Sequence, residues 1–179
     1  MSSFRPIFLI LICLAVVSCS RENYAGSMRL VEVFKMHTLG ESELKEPIIF
    51  SSDHLPTYLM DMVGFSQRES YGRWTDKKIA KILFSGFLPN SFVLSIEASA
   101  FGDNARLPAQ ISACNVKHEL SINAGVGNPA KFSLKFSGVE TCNMISIEVP
   151  KPTSPKSINS GEDIRPLGYN FVSLGIQPE

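Results

Sequence analysis

The sequence predicts an all-β domain, an antiparallel β-sandwich of jelly-roll-like form, behind an N-terminal signal segment. Three observations carry this. Apolar and polar residues alternate with period two in several short runs. Clusters of glycine, asparagine and proline separate those runs. And 12 glycines and 11 prolines, with no convincing amphipathic stretch, do not suit a helical bundle. The 179 residues give one domain with an appendage.

In chain order, the apolar run from Ile7 to Val17 follows a single cation, Arg5. A bilayer span needs about 20 residues, so this run is a signal segment rather than a permanent anchor. It ends in Val16, Val17, Ser18 and Cys19, which resembles the bacterial lipobox. That pattern implies cleavage after residue 18 and acylation of Cys19. Two or three acyl chains then anchor the protein firmly, each buried CH₂ contributing about 0.8 kcal/mol. Ser20 stands where an aspartate would imply inner-membrane retention, so the outer membrane is the expected site. Residues 1–18 are read as signal, 19–46 as a tether with a strand-like stretch at 30–34, and 47–179 as the sandwich.

Within the sandwich, Phe92, Leu94, Ile96, Ala98 and Ala100 share one parity. His118, Leu120 and Ile122 alternate with Lys117, Glu119 and Ser121; Phe132, Leu134 and Phe136 with lysines and serines; Ile145, Ile147 and Val149 with Ser146 and Glu148. Val172, Leu174 and Ile176 close the chain on one parity. About six to eight strands are expected at this spacing. The stretch 150–166 is too rich in proline for a strand, and a loop this long is mobile or pinned by specific contacts.

Lysine plus arginine equals aspartate plus glutamate at 17 each, which argues against a nucleic-acid binder. Of four cysteines, Cys13 leaves with the signal and Cys19 takes lipid, so Cys114 and Cys142 are expected to pair in an oxidising compartment. Three scattered histidines and two remaining thiols do not make a metal cage, and no cofactor or metal is expected. There is no nucleophile elbow, zinc-protease motif or phosphate-cradling glycine loop, so catalysis has no support in motifs. His118, on the apolar parity of its strand, is expected to pack in the core.

The densest constellation is residues 64–75, which hold Arg68, Glu69, Tyr71, Arg73 and the single tryptophan, Trp74. Aromatic faces beside guanidinium and carboxylate groups suit sugars, the ring stacking on a pyranose and the charges bonding hydroxyls. Glu69, Tyr71, Arg73 and Trp74 are therefore candidate ligand contacts. A structural reading stands beside it: Trp74 as a core plug, with Glu69 and Arg73 paired to fix a loop. Asn104, in the turn after the best strand, is a further candidate contact, although Asp and Asn beside glycine are turn chemistry first. Arg68, Asp163 and Arg165 are expected to form a structural network, with Arg165 bonding carbonyls or pairing with Glu69.

The string at 64–75 resembles the carboxy-terminal domain of the bacterial phosphoglycerol transferase I family, whose members modify osmoregulated periplasmic glucans. The resemblance continues through Leu88 and Pro89, the strand from Phe92, the turn at 100–104 and Arg165 to Gly168, so it covers about residues 60–177. Tyr71 stands where tryptophan is expected, and the two cysteines are particular to this chain. The resemblance implies the family's accessory module without its metal-dependent domain. The expected function is a non-catalytic module of a periplasm-facing lipoprotein, binding a glycan or an envelope protein partner, membrane-attached through lipid and without nucleic acid.

Overall fold

The computed structural model describes residues 36–179. The signal segment, Cys19 and the stretch 30–34 lie outside the described residues.

Ten strands follow one another: β1 (Ile48–Ile49), β2 (Leu59–Val63), β3 (Arg73–Trp74), β4 (Ile79–Phe84), β5 (Phe92–Ala100), β6 (Ala109–Ala113), β7 (Val116–Leu120), β8 (Ala130–Phe136), β9 (Met144–Glu148) and β10 (Tyr169–Pro178). One sheet runs β1-β10-β5-β8, with β3 also pairing β10; the other runs β2-β4-β9-β6-β7. Every strand pairing is antiparallel. With β2 and β3 set aside, the orders β1-β10-β5-β8 and β4-β9-β6-β7 are those of a jelly roll, as the sequence predicts.

Alternation builds the core. On β5, Phe92, Leu94, Ile96 and Ala98 turn inward, and Ser95 and Glu97 turn out. From the facing sheet, Ile82, Phe84, Ile111, Ile145 and Ile147 are buried in the same cluster. Aromatic rings close one end: Phe65 lies 5.5 Å from Phe50 and 5.8 Å from Phe171, centre to centre.

The packed body starts earlier than the expected boundary at residue 47. Leu39 and Leu44 are buried in the core, and the Leu39 N–H donates to the Phe87 carbonyl at 2.8 Å. Two leucines in an otherwise polar stretch are too sparse a pattern to mark this in the sequence.

Strand β10 departs from the expected parity. Its register against β5 slips between Phe171 and Ser173, a β-bulge. Tyr169 and Phe171 are buried before it, Leu174 and Ile176 after it. An extra residue reverses the faces of everything beyond it. Val172 therefore leaves the face it was expected to share with Leu174 and Ile176.

Cys114 and Cys142 form the expected disulfide, with Cα atoms 5.7 Å apart. It joins the turn between β6 and β7 to the segment ahead of β9, and β6 and β9 are hydrogen-bonded neighbours. The long loop is pinned. Thr153 pairs with Leu167, and the Lys151 backbone is held by Asn104.

Two buried phenols make the domain sensitive to alkali. The Tyr58 hydroxyl donates to the Glu46 carbonyl and that of Tyr169 to the Leu107 carbonyl. Burial pushes each pKa up to about 12 from an ordinary value of 10.0, with the Glu46 charge adding to the effect at Tyr58. In the unfolded chain these phenols ionise near 10, whereas in the folded chain they stay protonated. Their contribution to stability is thus complete below pH 10 and is lost as pH rises from 10 to 12. Denaturant melts across that range, read alongside tyrosinate absorbance, should show stability falling as ionisation and unfolding coincide. Full ionisation of the folded protein near pH 10 would refute this.

Candidate ligand cleft

The constellation at 64–75 folds as a hairpin laid across the end of β10. Phe65 pairs with Thr75, the Ser66 N–H donates to the Trp74 carbonyl at 2.8 Å, and Glu69 pairs with Gly72 around a turn at Ser70 and Tyr71. The returning strand β3 then pairs with β10, setting Arg73 opposite Phe171 and Trp74 opposite Asn170. Gly72 lies so close to β10 that a Cβ there would fall 2.3 Å from the Phe171 carbonyl oxygen.

Tyr71, at the hairpin tip, is 54% exposed, whereas Trp74 is buried at 3% and meets Phe101 edge-on, 6.1 Å between centres. Together they bound a cleft of roughly 350 Å³ on the outer face of the β10-β5 sheet. Ser99 and Asn170, Cα partners on neighbouring strands, contribute to its floor; Val172, re-aimed by the bulge, and the loop residues Val126 and Pro129 complete the lining. Asn170 is 3% exposed, and its amide nitrogen has no hydrogen-bond partner among the described residues. Burying an amide N–H without a partner costs about 1–3 kcal/mol. A group that accepts from it would remove that cost.

Glu69 is not part of this lining. Its carboxylate accepts from the Arg165 guanidinium at 2.8 Å, and Arg165 in turn donates twice from Nε to Asp163, at 2.9 and 3.1 Å. These bonds hold the Asp163 carboxyl below its usual range and raise Arg165. The neighbouring Glu69 carboxylate raises the pKa of the Tyr71 hydroxyl, with Trp74 opposing. The line Asp163–Arg165–Glu69 thus fixes a carboxylate behind the hairpin tip that carries Tyr71. Glu69 is held by Arg165, as one of the expected pairings had it.

Arg73 and Asn104 are also outside this lining. Arg73 neighbours Trp74 in an extended strand, so the two point to opposite faces; its Nε donates to the Phe50 carbonyl at 3.3 Å. Asn104 is fully buried. Its amide donates to the carbonyls of Phe101 and Lys151, and its oxygen accepts from the Lys151 N–H. Arg68 bonds the Ser51 carbonyl and Asp53, apart from the Arg165 network with which it was grouped. His118 packs edge-on against Phe136 at 4.6 Å while remaining only half-buried. Asn170 and Ser99 were not singled out from the sequence. The one signal for Asn170 was the clash of parity between Tyr169 and Phe171 on one side and Leu174 and Ile176 on the other, which betrays a bulge beside it.

A family model described as a domain of unknown function, DUF7024, matches residues 41–178. The chain belongs to this family. Phosphoglycerol transferase I of Salmonella newport (strain SL254) is 30% identical over 159 residues, covering 87% of this chain and 20% of the relative. The same enzyme of Salmonella paratyphi B (strain ATCC BAA-1250 / SPB7) is 30% identical over 135 residues, 73% of this chain and 17% of its own. The chain thus spans about a fifth of the length of the curated relatives it matches, and the expected resemblance to a part of those enzymes holds. Among solved structures, a point mutant of the family 29 carbohydrate-binding module CBM29-2 is 9% identical, over 74% of this chain and 91% of its own, with a TM-score of 0.47.

Proposed function

We propose that this chain is a periplasm-facing lipoprotein, anchored through Cys19 to the outer membrane, whose β-sandwich is a non-catalytic module that binds envelope or periplasmic glycan in the Tyr71 cleft. The observation that carries the reading is the pairing of the exposed Tyr71 ring with the unpartnered Asn170 amide, 97% buried beneath the same opening. A sugar offers both counterparts: an apolar C–H face for the ring and hydroxyl oxygens for the amide. The lining is aromatic, amide, hydroxyl and aliphatic, a set that orients a ligand without supplying an acid–base pair. The shared stretch with phosphoglycerol transferase I supports an accessory role beside such chemistry, since it makes up a fifth of those proteins.

A glycan array probed with the purified chain and a Tyr71→Ala variant tests this. The unaltered chain should bind glycan, and the variant should bind about tenfold more weakly or worse, a loss of 1.4 kcal/mol or more. Absence of binding to every glycan by the unaltered chain would sink the proposal. Mass spectrometry of the mature amino terminus tests the anchor separately: a diacylglyceryl group on Cys19 is expected, and an unacylated start would refute that part.

A further inference from the structure

The outer face that carries the Tyr71 cleft has two further concavities. One of roughly 460 Å³ lies over Glu97, Ser173 and Ser133, and one of roughly 600 Å³ lies over Ser95, Gly175 and Gln177. These two share Pro47, Ser95 and Gly175, so they adjoin. The first of them begins one outward step along β5 from the floor of the Tyr71 cleft, at Glu97 after Ser99, where β10 advances from Asn170 through the bulge to Ser173. We infer that the three form one groove along β5 and β10, and that it takes a linear, uncharged oligosaccharide of several units, with the Tyr71 cleft at one end. This rests on the glycan reading above.

The register sets the length. Successive cross-strand pairs, Asn170 with Ser99, Ser173 with Glu97, Gly175 with Ser95 and Gln177 with Val93, follow one another along the face. At about 3.4 Å per residue, the step from Ser99 to Val93 spans roughly 20 Å, the length of several sugar units and far more than one. The side chains set the chemistry. A sheet face made to receive another protein layer is apolar. Here the trough is floored by Ser95, Ser133, Ser173 and Gly175, small groups that leave room above the sheet and offer hydroxyls within it. Glu97 accepts from the Ser173 hydroxyl and stands opposite Lys131 on β8. Over the two concavities the charges balance, Lys45 and Lys131 against Glu41 and Glu97, so an anionic polymer gains nothing there over a neutral one.

The test titrates the purified chain with neutral linear gluco-oligosaccharides in β1,2, β1,3 and β1,4 linkage, from disaccharide to hexasaccharide, and with an anionic oligosaccharide of matched length, at low and high salt. The expected result is affinity rising about tenfold or more with length in the preferred linkage, with little salt dependence. Ser95→Trp, which fills the middle of the trough from an exposed position, should return the hexasaccharide to the affinity of the disaccharide and leave the disaccharide unchanged. Glu97→Gln should weaken only the longer chains, and serves if the bulkier variant fails to fold. Disaccharide binding that is sensitive to Tyr71→Ala but does not improve with length would overturn the groove and leave the cleft standing. Tighter binding at low salt of an anionic oligosaccharide of matched length would overturn the uncharged ligand. No binding at any length would remove the cleft and the groove together.

Discussion

Replacing both Cys114 and Cys142 with serine should lower the stability of the domain by about 3–4 kcal/mol, the chain-entropy value for a closed loop of this length. The bridge spans 28 residues of sequence and so restricts the unfolded chain appreciably. For a domain of this size the loss corresponds to a fall in Tm of roughly 10 °C. The folded side of the balance is concentrated in one corner. Cys114 holds a left-handed backbone conformation at φ 46°, which costs a residue with a Cβ about 1 kcal/mol or more. Its neighbour Asn115 clamps the next loop, donating to the Gly138 carbonyl and accepting from the Glu140 N–H. Beyond the bridge, the Cys142 carbonyl accepts from Leu88. The bridge thus ties together the β6–β7 turn, the 138–142 loop and the entry to β5. Thermal melts followed by circular dichroism, on the oxidised, reduced and double-serine forms, measure the effect. A fall of less than about 1 kcal/mol in both the reduced and serine forms would show that Asn115 and the ladder hold this corner unaided.

How far the sequence revealed this architecture depended on how each strand is exposed. Strand β5 was legible because its two faces meet opposite environments, core on one side and the polar trough on the other, so Leu94, Ile96 and Ala98 alternate cleanly with serine and glutamate. Strands β8 and β9 were legible for the same reason. Strand β4 was not, because outward Ile79 and Leu83 are as apolar as inward Ile82 and Phe84. Strand β6 carries its parity on alanines, too weak a signal to separate from background. Two-residue strands such as β1 and β3 are too short for a period, and β3 is the one that sets the hairpin against the cleft.

The candidate site was legible in its composition more than in its direction. The string from Arg68 to Trp74 named the right hairpin, yet side-chain direction within a hairpin follows from its register and turn, which a list of residue types does not contain. Adjacent Arg73 and Trp74 had to face opposite ways, and the tight turn had to leave Tyr71 outermost. Glu69 was assigned two roles, and the bond that meets the structural one is to Arg165, distant in sequence. Asn170 came from no motif at all. It became a site residue because β3 and β10 pair there, and pairing between segments nearly a hundred residues apart leaves no local mark.

Gly72→Ala should damage stability and the cleft together, and comparison with Gly127→Ala separates the two reasons a glycine can be required. Both residues have left-handed φ, +141° at Gly72 and +79° at Gly127, so each substitution carries backbone strain of about 1–3 kcal/mol. Only Gly72 is also crowded. Its added Cβ would lie 2.3 Å from the Phe171 carbonyl oxygen and 3.1 Å from the Asn170 side-chain oxygen, whereas nothing lies within 4 Å of a Cβ at Gly127. Backbone cannot step aside as a flexible side chain can, so the clash adds about 1–3 kcal/mol, giving roughly 2–6 kcal/mol in all. The relief available is for the hairpin to lift from β10. That separates Trp74 from Asn170, shifts the Asn170 amide and carries Tyr71 out of line, so glycan affinity should fall with stability. Gly127 meets no such clash and should lose only the strain. Denaturant melts and binding on both variants decide it. Equal destabilisation would mean that the hairpin is held too loosely for its distance from β10 to matter, and the rigid placement of Tyr71 over Asn170 would fall with it.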